Sequence, residues 1–522
     1  MKAPLSRRGF LGAGAGAVGA GALALGGGRL LGPAGPGRPL ASEHPLPRPF
    51  QRPLTVPPVL APVRTDATTD HYEITQRTAD LHILDDAATP AWTYGGTFPG
   101  PTLVSRSGRR TVVVHRNRLP RPVAVHLHGG HTPHDSDGHP GDAILPPGGD
   151  PMDAMPGMAG GTATPGRPVT GERAYAYPLD QRAATLWYHD HRMGFTGASV
   201  WLGLAGFHLV HDDEEDALPL PKGDRDLPLM IADRSFAADG AFRYPALDRT
   251  LRRVPGVTAR YTDGVRGDVI LVNGTPWPVH PVPRLRHRLR LLNASNARAY
   301  RLALDPPPPG GGGLVQIGGD GGLLAAPAAH DAIDVAPAER FDVVVDFARY
   351  RPGTRVRLVN RLATGPAGQV MAFDVAGTAA RPAEDATVPA RLSDVPRHDP
   401  ARAAVTRSFL FQNTPDGWHI NGRGYDPARP LARPRLGDLE VWRLVSDAHH
   451  PVHLHLDHFQ VVSRNGRAPG PYDGGWKDTV DVRPAEAVEI AVRFTRYAGR
   501  FVFHCHNLEH EDMAMMADFI TS

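Results

Sequence analysis

The segment Phe503-His504-Cys505-His506-Asn507-Leu508-Glu509-His510-Glu511-Asp512-Met513-Ala514-Met515 holds the only cysteine in a chain of 522 residues. A disulfide needs a second cysteine, so this sulfur is free for other chemistry. A thiolate flanked by histidines, with His510 and Met515 downstream, offers the donors of a blue-copper electron-transfer site. Paired histidines recur at His126-Leu127-His128, His189-Asp190-His191 and within His450-Pro451-Val452-His453-Leu454-His455.

Side chains alternate between the faces of a strand. In an extended segment His504 and His506 therefore project to one side and Cys505 to the other, which gives electrons a short covalent route between two sites. By the same parity His453 and His455 share a face, while His450 is placed to join Cys505; Pro451 weakens ideal strand geometry without changing the spacing. Four His-X-His pairs supply eight imidazoles, enough for a polynuclear centre between the first and last parts of the chain. One pair alone is equally an ordinary polar strand, and zinc is a chemical alternative for any single pair. A dispersed eight-histidine array with Cys and Met is poor zinc architecture and suits copper.

The elements that position these groups read as strands. Thr111–His115, Val123–His128, Asp268–Val272, Phe341–Asp346 and Glu440–Val445 are apolar or alternating, and Asn273-Gly274 is a strong turn signal. Gly and Pro, at 58 and 54 residues, are enriched above average usage, and a hydrophobic fraction of 41% still permits cores. A chain of 56.1 kDa is too long for one core. We expect an all-β protein of three sandwich domains at 60–215, 216–385 and 400–522, with linkers at 42–59 and 386–399. The histidine pairs fall only in the first and third. Gln316–Gly322 lacks the spacing of a dinucleotide loop and reads as a tight turn. A net charge of +3 gives no specific reason to expect nucleic acid.

Residues 1–41 read as a leader. Ser6-Arg7-Arg8-Gly9-Phe10-Leu11 opens an uncharged Ala/Gly-rich stretch and resembles a twin-arginine export signal, with a cleavage position near Ala41-Ser42. The stretch is weakly hydrophobic and broken by glycines, which argues against an integral membrane helix. The expected location is extracellular, periplasmic or in the cell envelope.

The copper motifs resemble those of the multicopper oxidases, in particular three-domain bacterial laccases of the spore-coat and bilirubin-oxidase-like type. The resemblance implies three cupredoxin-like Greek-key β-sandwiches and four copper ions. Carried over motif by motif, it implies a type 1 copper on His450, Cys505, His510 and axial Met515, and a type 2 copper on His126 and His453. The type 3 pair falls on His128, His189, His191, His455, His504 and His506. Glu511 and Asp137 resemble the family acids that deliver protons to the dioxygen site, the alternative for each being a structural hydrogen-bond partner. Asp190, opposite in parity to its flanking histidines, reads as a supporting acid, and His131, His134 and His139 as surface or supporting groups. Met513 and Met516 read as packing residues.

The implied reaction is one-electron oxidation of phenols or aromatic amines, coupled to four-electron reduction of dioxygen to water. Oxidation of Cu(I) or Mn(II) is the nearest alternative, and copper delivery without turnover is an alternative of another class. A two-copper nitrite reductase fits eight paired histidines less well. Met152, Met155 and Met158 lie in an insertion that reads as a surface loop, or as a transient Cu(I) binder, thioethers being soft donors.

Overall fold

The computed structural model describes residues 37–154, 166–376 and 386–522. The twin-arginine motif, Met155 and Met158 lie outside the described residues. Each of the three expected domains is built on two main sheets. In the first, one sheet is built on Thr69–Leu81 and Arg110–Asn117, and the other orders Gly100–Arg106, Ala205–His211, Ala184–Asp190 and Val125–His128. The middle domain pairs a seven-stranded with a five-stranded sheet. In the third, a five-stranded sheet containing Leu439–Ser446 backs a four-stranded one, ordered Thr479–Val482, His450–Leu454, Gly499–Cys505 and Met516–Thr521.

The expected strands form with small shifts. The segment read from Val123 is regular only over Val125–His128, because Val123 makes an isolated bridge to Ile144. Asn273 and Gly274 both take positive φ, 50° and 78°, as a tight hairpin turn requires. Alternation buries Val452, Leu454, Phe501, Phe503 and Cys505 in one apolar cluster of the third domain, and that one-sided burial fixes strand register. Pro451 is accommodated inside its strand, and its carbonyl accepts the His506 N–H at 2.6 Å.

One segment differs from the sequence reading, and a second adds to it. Residues 37–41, read as the end of the leader, are built into the fold: Arg38–Pro39 pairs in parallel with Val265–Arg266 and Leu40 is buried. The linker continues this docking, with Leu54 buried and the Ser42 hydroxyl donating to Asp268 at 2.5 Å. The charged stretch after the first domain forms a short helix, Asp213–Ala217, capped by Asp212. Its Glu215 is buried against Arg288 and Arg290 of the middle domain, 3.1 Å from the latter.

Burial alone would raise the Glu215 carboxyl, but the two guanidinium groups overcome it and hold the carboxyl well below the usual range. A depressed folded value means that the stabilisation is present above the unfolded-state value and is lost as pH falls through the acid range. Glu215→Gln leaves Arg288 and Arg290 paired with Asp342 and Asp226 but removes their buried contacts to a third carboxylate, and is expected to cost about 1.5–3 kcal/mol at neutral pH, the scale of hydrogen bonds to charged groups. Urea unfolding checks this, and the gap from wild type should narrow below the ordinary glutamate range.

Candidate metal centre

The four-stranded sheets of the first and third domains bring the histidine pairs together. Antiparallel pairing sets His126 opposite His189 and His128 opposite Trp187; in the third domain it sets His453 opposite His504. Across the domain interface His128 stacks on His453 with ring centroids 3.6 Å apart, and His126 on His455 at 3.8 Å. The Nε2 atoms of His126 and His453 approach to 3.4 Å, those of His191 and His504 to 3.2 Å, and those of His455 and His504 to 3.3 Å. His506 closes the group, its ring 5.1 Å from His128 and 5.4 Å from His189. All eight imidazoles are buried.

The outward ring nitrogens are tied. Nδ1 of His126 lies 2.5 Å from the Asp137 carbonyl, that of His189 2.8 Å from the Asp190 carbonyl, and that of His453 2.9 Å from the Asp478 carbonyl. Nδ1 of His504 contacts the Cys505 carbonyl at 3.1 Å, and that of His455 the Asp137 carboxylate at 2.7 Å. Such contacts select the tautomer whose Nε2 lone pair faces the centre. Burial pushes seven of the rings down, His189 to about 4 and His191 to about 3, which keeps them neutral, as ligands must be. His128 Nδ1, His189 Nε2 and both nitrogens of His506 are buried without a hydrogen-bond partner. Unpaired buried polar atoms are costly. Converging lone pairs without partners suit metal ions, and all-imidazole donors suit copper.

On the other face of the same strand, His450 Nδ1 lies 3.3 Å from Cys505 Sγ, His510 Nδ1 lies 3.7 Å from it, and the two Nδ1 atoms are 3.2 Å apart. This triangle of one sulfur and two imidazoles fits a blue-copper site. Burial pushes the Cys505 thiol well up, so its thiolate form depends on a cation. The helix Leu508–Asp512 delivers His510, and the turn after it closes with the Met515 N–H on the His510 carbonyl at 3.0 Å. Met515 is buried; Met516 is buried too, and Met513 packs half-buried between two apolar clusters.

The two acids flank the histidine group. Glu511 Oε2 lies 3.1 Å from His504 Nδ1, its Oε1 lies 3.4 Å from His191 Nδ1, and the Thr196 hydroxyl donates to Oε1 at 2.6 Å. Burial favours its neutral form, but His504 and His191 prevail and hold the carboxyl well below the usual range. Asp137 touches His455 from the other side, and burial, with Asp142 nearby, raises its carboxyl well above that range. Asp190 instead accepts the backbone N–H of Ala124 at 2.8 Å. His131 contacts Asp180, His134 contacts Arg167 and His139 contacts Asp518. Met152 is exposed.

Three contributors were missed from sequence. Trp418 stacks on His510 at 3.6 Å and meets the His450 ring edge-on at 5.5 Å, and nothing in its local sequence marks it. Thr196 is equally unmarked. Asp478 contacts both His128 and His453, and a charged Lys477-Asp478 pair beside an apolar strand was the available signal.

Comparison with known proteins bears on this geometry. The multicopper oxidase family pattern matches residues 396–522, and again 75–153 and 149–215. The chain is 35% identical to a laccase of Bacillus stratosphericus, over 89% of this chain and 97% of that protein. It is 33% identical to a bilirubin oxidase of Albifimbria verrucaria, over 90% and 81%. Among solved structures, a laccase from Pediococcus acidilactici superposes with a TM-score of 0.78 at 31% identity, covering 93% of this chain and 96% of that one.

Proposed function

The chain belongs to the multicopper oxidase family, and from that premise we propose how its residues divide a laccase-like reaction. Four copper ions are assigned. His450, Cys505, His510 and Met515 would hold a type 1 copper, and His126 and His453 a type 2 copper. His128, His189, His191, His455, His504 and His506 would hold a type 3 pair. Copper supplies one-electron exchange with the donor and reduction of dioxygen to water. The observation that carries this reading is the meeting of eight buried imidazoles across the domain interface, one peptide link from a buried thiol on the opposite face.

The chain's own residues do the remaining work. The His450 Nε2 edge lacks a hydrogen-bond partner and faces the half-exposed Asp447 carboxylate at 3.5 Å, which orients the electron-entry edge toward solvent. Trp418 covers His510 and keeps water from that side. Cys505 joins the two sites through its backbone to His504 and His506. Glu511 with Thr196, and Asp137 opposite, hold and move protons beside the interface histidines.

Phenols and aromatic amines are the proposed donors. Asp447 at the entry edge also favours a cationic metal donor as a second reading. Export by the twin-arginine route is part of the proposal and rests on Ser6-Arg7-Arg8. Among the described residues no helix is long and apolar enough to cross a membrane. Dioxygen uptake by the copper-loaded chain tests the function, with a phenol and Cu(I) compared as donors. Steady uptake yielding water is expected with the phenol. Absence of uptake with either donor at full copper loading would defeat the oxidase assignment.

A further inference from the structure

The middle domain contributes none of the paired histidines, yet one of its side chains reaches the metal-centre wall. Arg340 is 1% exposed and spends all five of its N–H donors. Nε donates to the Thr185 carbonyl of the first domain at 3.0 Å. Nη1 donates to the Ala338 carbonyl at 3.0 Å and to Asp478 Oδ1 at 2.8 Å. Nη2 donates to the Asp320 carbonyl at 3.2 Å and to Asp478 Oδ2. The guanidinium thus touches all three domains.

Asp478 passes this grip to two stacked histidines. Its Oδ1 lies 3.0 Å from His128 Nε2, and its backbone carbonyl lies 2.9 Å from His453 Nδ1. His128 is the exception among the eight: its Nε2 is the atom tied to a carboxylate, and its Nδ1 is the atom left without a partner. Which nitrogen His128 presents to the centre is therefore set by Asp478. The next residue, Gly129, has φ of +83°, and a Cβ there would stand 2.7 Å from Arg340 Nη2 and 2.8 Å from Asp478 Oδ2. The backbone after His128 is shaped to admit the pair.

We infer that Arg340 is a positioning residue for the interface coppers, acting through Asp478 to fix the orientation of His128 and His453. This rests on the copper reading above and extends it. A lysine is a point charge and cannot grip both carboxylate oxygens and the surrounding carbonyls as the planar fork does.

The test loads the full chain with Cu(II) and titrates it with a competing chelator. It follows copper per chain, blue absorption and the electron paramagnetic resonance of the non-blue copper. Arg298→Met serves as a matched control, because Arg298 is equally buried in the middle domain but pairs with Asp233. Arg340→Lys is expected to release interface copper about tenfold more readily, the lower end of the usual effect of supporting groups. Its non-blue signal should change shape while the blue absorption of Cys505 is retained. Wild-type retention and signal in Arg340→Lys would overturn the inference, as would equal copper loss in Arg298→Met. If Arg340→Lys is not recovered folded, Asp478→Asn is read by the same criteria, since its amide cannot accept both guanidinium bonds. A wild-type chain that takes up only the blue copper would overturn the parent reading as well, and so separates the two failures.

Discussion

Cys505→Ser is expected to abolish blue absorption and dioxygen uptake together, while the chain stays folded and keeps its interface copper. The substitution is nearly isosteric. The site is fully buried among Phe503, Val452 and Met515, and the Asn507 N–H that reaches Sγ at 3.4 Å can donate to a hydroxyl. The stability cost should accordingly be about 1 kcal/mol, the scale of a single hydrogen bond. The functional cost is of another order, because the sulfur is the soft donor through which a metal would connect to the covalent path along the Cys505 backbone to His504 and His506. Activity should fall by far more than the ~10–100-fold typical of changing an outer partner of a metal ligand. Copper per chain, visible absorption and oxygen-electrode rates measure the three effects separately. Retained uptake without the blue band would show that electrons bypass Cys505.

Much of this centre was legible because it is written in local periods. Strand parity is a two-residue rule, so the opposite facing of Cys505 and its flanking histidines follows from sequence once the segment is taken as extended. The structure brings those groups where parity implies, with His450 at the sulfur and His453 opposite His504. The all-β class and the two-sheet domains were legible for the same reason. What parity could not supply was which residues meet across domains. Arg340 and Asp478 are ordinary residue types at unremarkable spacings, and they gain their roles only when the sandwiches are docked; Trp418 meets His510 within the third domain, but from a strand far away in sequence. The same holds for Glu215, which lies in a charged, proline-punctuated stretch and is buried only by two arginines of another domain. Residues 37–41 lacked periodicity because a short docked strand is held by partners far along the chain, not by a pattern of its own.

Glu511→Gln should separate proton supply from metal binding at the centre. Glutamine matches glutamate in size, its Oε1 can still accept the Thr196 hydroxyl, and His504 Nδ1 retains the Cys505 carbonyl as an acceptor. Copper content and blue absorption are therefore expected to match wild type, as is the KM for the donor, whose proposed entry is at the His450 edge. The amide, unlike the carboxyl, can neither take up nor release a proton in the working range. Reduction of dioxygen to two waters takes four protons, and loss of a positioned acid typically costs about 10²–10⁴-fold in rate. A fall of kcat on that scale is the expected result. The sign of the pH dependence gives a second readout. Although burial favours its neutral form, His504 and His191 hold Glu511 well below the usual carboxylate range, so its protonated fraction grows steadily on acidification from neutrality. A wild-type rate limited by proton delivery should rise over that interval, and the glutamine variant should lose the rise. If the variant instead lost copper in step with rate, Glu511 would be acting by holding His504 and His191 in place. Unchanged copper with a flattened pH profile leaves proton transfer as the role that accounts for both.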